Sequence, residues 1–249
     1  MLDLPVEPIS QWLPTRVFAL TTKAYKSFRR CATVLITAVV TLHAPLVAAQ
    51  ADQRVLVTSA TVTLAEFLAI PSMTWLRENL PRAKAVMIAP EVTKAGVVVG
   101  GSTGRAVVVA RDAQSGKWVG PAFYTLTAAS VGLQVGITVS EMVTLVMTDT
   151  GLLRLLTNSF QMGGDVAIAA GPVDRSAKKD LVADFVSFRR SQGAYIGIDL
   201  TGTIVASSDD WNRIYYGQKV QAADILVRQT VSNPHASHLL GLLTEATRQ

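Results

Sequence analysis

Cysteine is almost absent from this chain of 249 residues, because its one cysteine, Cys31, lies close to the N-terminus. A chain cut after that position would contain no cysteine. This excludes a disulfide, a thiolate nucleophile and a cysteine-based metal site from the remainder. Histidine is scarce as well, with three residues, and no G-x-S-x-G motif for a nucleophilic serine is present. We identify no enzyme active site and expect no cofactor.

Charge is also sparse. Charged residues make up 16% of the chain and hydrophobic residues 49%, a balance that favours a sizeable buried core over disorder. The net charge is +5, and three of these five positive charges come from the first 51 residues. The remainder lacks the strong basic excess that nucleic-acid binding needs, so we expect no nucleic-acid partner.

The first 51 residues are predicted to be a signal peptide with an extended N-terminal region. A basic cluster at Lys26–Arg30 precedes an apolar run from Cys31 to Val47, and the small-residue pattern Ala49-Gln50-Ala51 follows. Secretory signals have these features in this order. We expect cleavage after Ala51 and export to the periplasm or cell envelope, with a location peripheral to the membrane.

Other interpretations of this segment stay open. Residues 31–42 are short for a membrane-spanning helix, which needs about 20 residues, but an uncleaved anchor is the second interpretation. A third is that the residues before Lys26 are not part of the translated protein, because export signals rarely begin so late. The pair Arg29-Arg30 leaves both the twin-arginine and the general secretory route open.

Residues 52–249 are predicted to form one α+β domain, a mainly antiparallel β-sheet with packed helices. Apolar residues at helical spacing predict a helix in two pieces over 62–80. Two valine-rich runs around Ser102-Thr103-Gly104 predict a hairpin with strands at 95–101 and 105–110. The remaining pattern predicts a strand at 85–90, helices at 140–147 and 150–156, strands at 165–173, 181–190, 194–200 and 203–208, and a helical tail from Asp209.

Three motifs could carry chemistry, and each has a simpler interpretation. The glycines between Gly96 and Gly104 could form a phosphate loop, but the segment that follows is predicted as strand rather than helix. His235 and His238 could share a helix face and hold a metal, yet no further histidine lies near them in the sequence. Asp209-Asp210 directly precedes a predicted helix, where aspartate satisfies free amides without any reaction.

Seven segments of the chain together resemble the SYLF lipid-binding family, which includes yeast actin-patch regulators and many exported bacterial proteins. The resemblance runs from about Leu64 to about Leu226, in consistent order. The segments are Ile70–Arg77, Ala83–Gly96, Gly120–Tyr124, Gly132–Gly136, Gly163–Ala167 with Ala170–Val173, Tyr195–Gly202 and Asn212–Gly217.

The resemblance implies binding of phosphoinositides or other anionic lipids, and it implies no catalysis. In eukaryotic members it also implies actin binding. Actin binding is doubtful here, because an exported bacterial-type protein would meet actin only after release into a host. Basic side chains on loops or strands are the predicted contacts to anionic head groups: Arg175, Lys178, Lys179, Arg189 and Arg190.

Two further functions compete with lipid binding. The chain could be a structural or interaction protein of the cell envelope with a protein partner and no lipid site. It could also be a hydrolase whose active site has no sequence signature. An exposed apolar patch without positive charge would favour the interaction protein, and a basic patch beside apolar side chains would favour lipid binding.

Overall fold

The computed structural model describes residues 50–96, 99–131, 136–171, 183–191, 194–195 and 200–248. Residues 1–49, which make up most of the predicted signal peptide, lie outside these ranges, as do Arg175, Lys178 and Lys179. The described residues form one α+β domain, which confirms the predicted fold class.

In the described part of the chain, two helices precede the four long strands, one helix separates these from the short strands, and three helices follow the last strand. The helices are α1 (Ala51–Ala69), α2 (Thr74–Asn79), α3 (Asp149–Leu155), α4 (Asp209–Tyr216), α5 (Ala222–Leu226) and α6 (Ser237–Ala246), with 3-10 turns at Leu80–Arg82 and Pro234–Ala236. The strands are β1 (Ala85–Gly96), β2 (Val99–Arg111), β3 (Trp118–Val131), β4 (Gly136–Val146), β5 (Ser159–Gln161), β6 (Ile168–Ala170), β7 (Phe185–Ser191), β8 (Ala194–Tyr195) and β9 (Ile204–Ser207).

The nine strands form a single sheet in the order β5-β9-β3-β2-β1-β4-β7-β6, with β8 paired to β7. Every pair is antiparallel except β6 with β7. The long strands β1 to β4 form its centre, where the chain neighbours β1 and β2, and β2 and β3, pair with each other, and β4 pairs with β1. The prediction of a mainly antiparallel sheet is therefore confirmed.

The sheet curls strongly, because its two edge strands are close together in the chain. Eight strands side by side would span about 34 Å if flat, at about 4.8 Å per neighbour. Only the residues between Gln161 and Ile168 connect β5 to β6, and an extended chain of that length reaches about 24 Å. Phe160 on β5 contacts Phe185 on β7, with 5.4 Å between ring centroids, which places the closure on one side of the sheet.

Both faces of the sheet are buried. We call the concave side, where Met87, Val108 and Phe185 point, the inner face, and the opposite side the outer face. The inner face packs on α5 and on the segment that connects the two edges. The outer face packs on α1, α2, α4 and α6. Burial on two sides explains why the central strands are continuous apolar runs instead of alternating patterns.

The predicted hairpin around Ser102-Thr103-Gly104 is wrong in its register. These residues lie inside β2, and Gly104 pairs with Val92 of β1. Gly104 is needed because a Cβ there would lie 2.7 Å from the carbonyl oxygen of Glu91, where β1 has a bulge. The glycine therefore marks a close approach of two strands and not a turn.

Two further predictions differ from the structure. Residues 140–147 are predicted as helix, but 136–146 form strand β4; its second part, from Ser140 to Val146, is buried on both faces and so shows no strand alternation. The first helix begins at Ala51 rather than at residue 62. Among the described residues no single helix is long and apolar enough to cross a bilayer, and only α1 with 74–82, bent by 112°, meets these criteria as a pair.

Candidate anion pocket

A pocket of about 320 Å³ lies at the open end of the curled sheet, on its inner face. Strands β1, β2, β3, β4, β7 and the turn before β9 contribute to it. Ligand sites commonly occupy the mouths of curled or closed sheets, where several strand ends converge. The lining residues are Val92, Lys94, Ser102, Leu126, Ala128, Ala129, Met142, Arg189, Leu200, Thr201 and Thr203.

Arg189 is the half-buried cation of this pocket. Its Nε donates to the hydroxyl of Ser140 at 2.7 Å, and that hydroxyl donates to the carbonyl oxygen of Val92 at 3.1 Å. Ser140 is buried and therefore fixes the guanidinium to the bulged part of β1. Burial lowers the pKa of Arg189 from its ordinary value. The guanidinium still stays protonated, because arginine does not lose its proton in proteins.

Lys94 supplies a second positive charge to the same space. It is half-buried on β1 and lies opposite Ser102 on β2. None of the pocket's lining residues is a carboxylate, and neither cation forms a salt bridge within the described residues. Two uncompensated cations in a partly buried space create a positive potential that attracts an anion.

The chemistry of the lining suits binding rather than reaction. The hydroxyls of Ser102 and Thr203 can donate to an oxyanion beside the two cations. The described lining contains no histidine, carboxylate or cysteine that could act as a general base or nucleophile. The volume is at the small end of ligand sites, which matches a phosphorylated head group better than an acyl chain.

Arg190, the chain neighbour of Arg189, points to the outer face. Its guanidinium forms salt bridges with Glu66 of α1 and Glu141 of β4, and Nε donates to Glu141 at 2.8 Å. Thr63 of α1 also donates to Glu141. Arg189 and Arg190, which are predicted together as contacts to head groups, therefore point to opposite faces of the sheet, and of the two only Arg189 faces the pocket.

The other motifs of the sequence lie away from the pocket. Asp209 and Asp210 are the first two residues of α4; Asp209 accepts from Ser207 at 2.9 Å and Asp210 pairs with Arg213. His235 stacks edge-on against Tyr215. Within the described ranges, no group of three or more His, Cys, Asp or Glu residues is placed to hold a metal ion.

Sequence reasoning missed Lys94 and Ser140, which complete the pocket. Lys94 stands alone among apolar and polar residues, so no cluster marks it. A signal was available in β7, because neighbouring strand residues point to opposite faces and Arg189 and Arg190 therefore cannot share a site. The sequence does not show which of the two arginines lines the pocket, because the concave face is defined only by the curl of the whole sheet.

Comparison with known proteins identifies related sequences. A family described as "Ysc84: Las17-binding protein actin regulator" matches residues 127–246, from β3 to α6. This span includes Arg189, Thr201 and Thr203 and excludes Lys94 and Ser102.

Individual relatives match longer parts of the chain. SH3 domain-containing YSC84-like protein 1 of Homo sapiens is 28% identical over 175 residues, which are 68% of this chain and 51% of that protein. Protein YSC84 of Saccharomyces cerevisiae is 28% identical over 171 residues, 66% of this chain and 36% of the relative. LAS seventeen-binding protein 3 of the same yeast is 30% identical over 154 residues, 59% and 33% respectively. The chain spans about half or less of these relatives.

Proposed function

Because the chain belongs to the Ysc84 (SYLF) family through residues 127–246, we propose that it is a non-catalytic binding protein that holds the phosphate head group of an anionic lipid in the pocket between Lys94 and Arg189. The observation that supports this is the half-buried guanidinium of Arg189, which Ser140 positions and which no carboxylate of the described residues neutralises. A phosphate group supplies the missing negative charge and accepts several hydrogen bonds.

The setting we propose is the cell envelope, after export and cleavage behind Ala51. Arg175, Lys178 and Lys179 lie outside the described residues, and their contact with head groups stays a prediction. Lys178 and Lys179 follow a polar segment of the sequence, and a loop can reach a bilayer without disturbing the core. The expected absence of nucleic-acid binding and the argument against actin binding also stay predictions.

A test is co-sedimentation with phosphatidylcholine vesicles that contain or lack anionic lipid. We expect binding only with anionic lipid, and a loss of roughly fivefold for Arg189→Gln and for Lys94→Gln, from about 1 kcal/mol per basic side chain. Lys117→Gln, which removes an exposed lysine in the turn after β2, is the matched control and should bind as the parent does.

Inorganic phosphate separates a lipid site from a general phosphate site. Competition by millimolar phosphate would show that the pocket takes the phosphate group alone, whereas competition only by soluble head groups would assign it to lipid. If the parent does not bind anionic vesicles at any salt concentration, the lipid proposal fails.

A second candidate function is supported by the relatives' names. LAS seventeen-binding protein 3 is named for a protein partner. We propose protein binding as a separate activity of the fold, in addition to head-group binding.

A further inference from the structure

We infer that the groove between α1 and the outer face of the sheet binds a basic amphipathic helix of a partner protein. The inference does not depend on the head-group pocket, because the two sites lie on opposite faces of the sheet. The groove has a volume of about 760 Å³, more than twice that of the pocket. We call it the α1 groove; its walls are α1 and Trp211, and its floor is formed by β1 and β2.

Exposed apolar side chains concentrate on this side of the molecule. Eight large hydrophobic side chains are strongly exposed among the described residues, and five of them lie on α1 or on the outer face beyond it. Scattered single residues of this kind need no explanation, but a continuous apolar surface marks an interaction site. The five are Val55, Val62, Val99, Ile137 and Val139.

Strand register shows that the apolar residues of the sheet continue the groove. Thr93 on the floor pairs with Val139 of β4, and the next outward-facing position, Ala95, pairs with Ile137. On α1, Val55 and Val62 are seven residues apart and therefore lie on one side of the helix, two turns from each other. A partner helix of about three turns can contact the valines of α1 and the apolar side chains of β4 at the same time.

The charge of the groove selects the partner. Its lining includes three carboxylates, Asp52, Glu91 and Glu141, but one cation, Arg105. Arg190 already neutralises Glu141. Arg105 is the cross-strand neighbour of Glu91, but its guanidinium lies over the ring of Trp211, 4.0 Å from the ring centroid. Asp52 and Glu91 form no salt bridge within the described part of the chain.

Two carboxylates that form no salt bridge within the described residues lie beside an apolar groove, and they complement a helix that carries both apolar and basic side chains. They disfavour an anionic bilayer, because like charges repel. They also disfavour a second copy of this chain, because a two-fold contact would bring the carboxylates of the two copies together. A basic helix is therefore the occupant that the groove fits.

The probe is a fluorescent 18-residue peptide of leucine and lysine, with leucine at helical spacing, and fluorescence anisotropy with the full-length chain measures its binding. The comparison peptide carries glutamate in place of lysine. We expect the lysine peptide to bind at least tenfold more tightly. Asp52→Lys with Glu91→Lys should weaken its binding at least tenfold, and Val62→Gln should weaken it severalfold without changing the circular dichroism spectrum.

Glu78→Lys with Glu245→Lys is the matched control, since it makes the same change in net charge at exposed acids outside the groove. It should change binding less than twofold. If both double variants lost peptide binding equally, the effect would come from overall charge alone, and the inference would be overturned. Failure of the lysine peptide to bind would overturn it as well, as would a concentration-dependent dimer cross-linked through the groove. Vesicle binding of the Asp52/Glu91 variant should equal that of the Glu78/Glu245 variant, which has the same net charge, and this distinguishes the groove from the head-group pocket.

Discussion

Arg189 and Arg190 leave strand β7 in opposite directions and have different surroundings. We expect Arg190→Gln to lower the free energy of unfolding by about 1.5 kcal/mol or more, because it removes charge-assisted hydrogen bonds to Glu66 and Glu141. Arg189→Gln should cost less stability and should lose vesicle binding instead. Urea unfolding measures the loss of stability of both variants, and co-sedimentation measures their loss of vesicle binding. If one variant showed the larger loss in both assays, the separate roles of Arg189 and Arg190 would be contradicted.

Substitution by alanine should change the free energy of unfolding in opposite directions at two glycines, Gly104 and Gly241. Gly104→Ala places a Cβ 2.7 Å from the carbonyl oxygen of Glu91, so the backbone must shift, at a cost of about 1–3 kcal/mol. Gly241 lies inside α6, with open space around the position of a Cβ. Gly241→Ala should therefore stabilise the protein by about 0.5–1 kcal/mol, through helix propensity and a less flexible unfolded chain. Thermal unfolding of both variants gives the signs directly, and destabilisation by both would contradict the open space at Gly241.

At the scale of the element, strand β2 offers a matched pair of positions. Val108 is buried between the two layers, and Val99 on the same strand is 71% exposed. Val108→Asp places an unpaired charge in the core, which costs several kcal/mol, comparable with the stability of a whole domain. Val99→Asp should change the free energy of unfolding by no more than about 0.5 kcal/mol. A folded Val108→Asp protein with parental melting temperature would contradict the two-sided burial of this strand.

The elements that sequence predicts best are those whose pattern is local. The strand at Ala85 and the helix at Asp149 follow from β-branched runs and from helix-start residues. Strand β4 could not be recognised, because burial on both faces removes the alternation that identifies a strand. Helix α1 carries apolar residues on its exposed side as well, so its first part lacks the one-sided pattern of an ordinary surface helix.

At the scale of the molecule, sequence predicts the α+β class and the resemblance to the SYLF family but not the curl of the sheet. The curl arises because β5 and β6 form the opposite edges of the sheet although they are close together in the chain. Both strands are only three residues long, and neither has a marked hydrophobic pattern in the sequence. The head-group pocket depends on the curl, because Lys94 and Arg189 are almost a hundred positions apart and meet only across β1, β4 and β7. The α1 groove likewise needs the packing of a helix on a sheet.

The predicted cleavage after Ala51 falls in the first turn of α1 and should leave the domain intact. It removes Gln50, whose carbonyl and side-chain oxygens both accept from Arg54 at 3.0 Å. The buried side of α1, at Val57, Leu64 and Phe67, lies further along the helix and is unaffected. Asp52 would then stand at the helix start, where its carboxylate complements the helix dipole and offsets the positive charge of the new α-amino group. The loss should be about 0.5 kcal/mol, which lowers the melting temperature by about 1–2 °C in a domain of this size.

Intact-mass measurement of protein from the envelope fraction should give a chain that begins at Asp52. A recombinant chain from Asp52 and one from Gln50 should melt within about 2 °C of each other, by the same size scaling. A much larger difference would mean that the contacts of Gln50 stabilise the helix, and that cleavage at this site would damage the domain. A species that retains Cys31 in the membrane fraction would establish the uncleaved anchor instead.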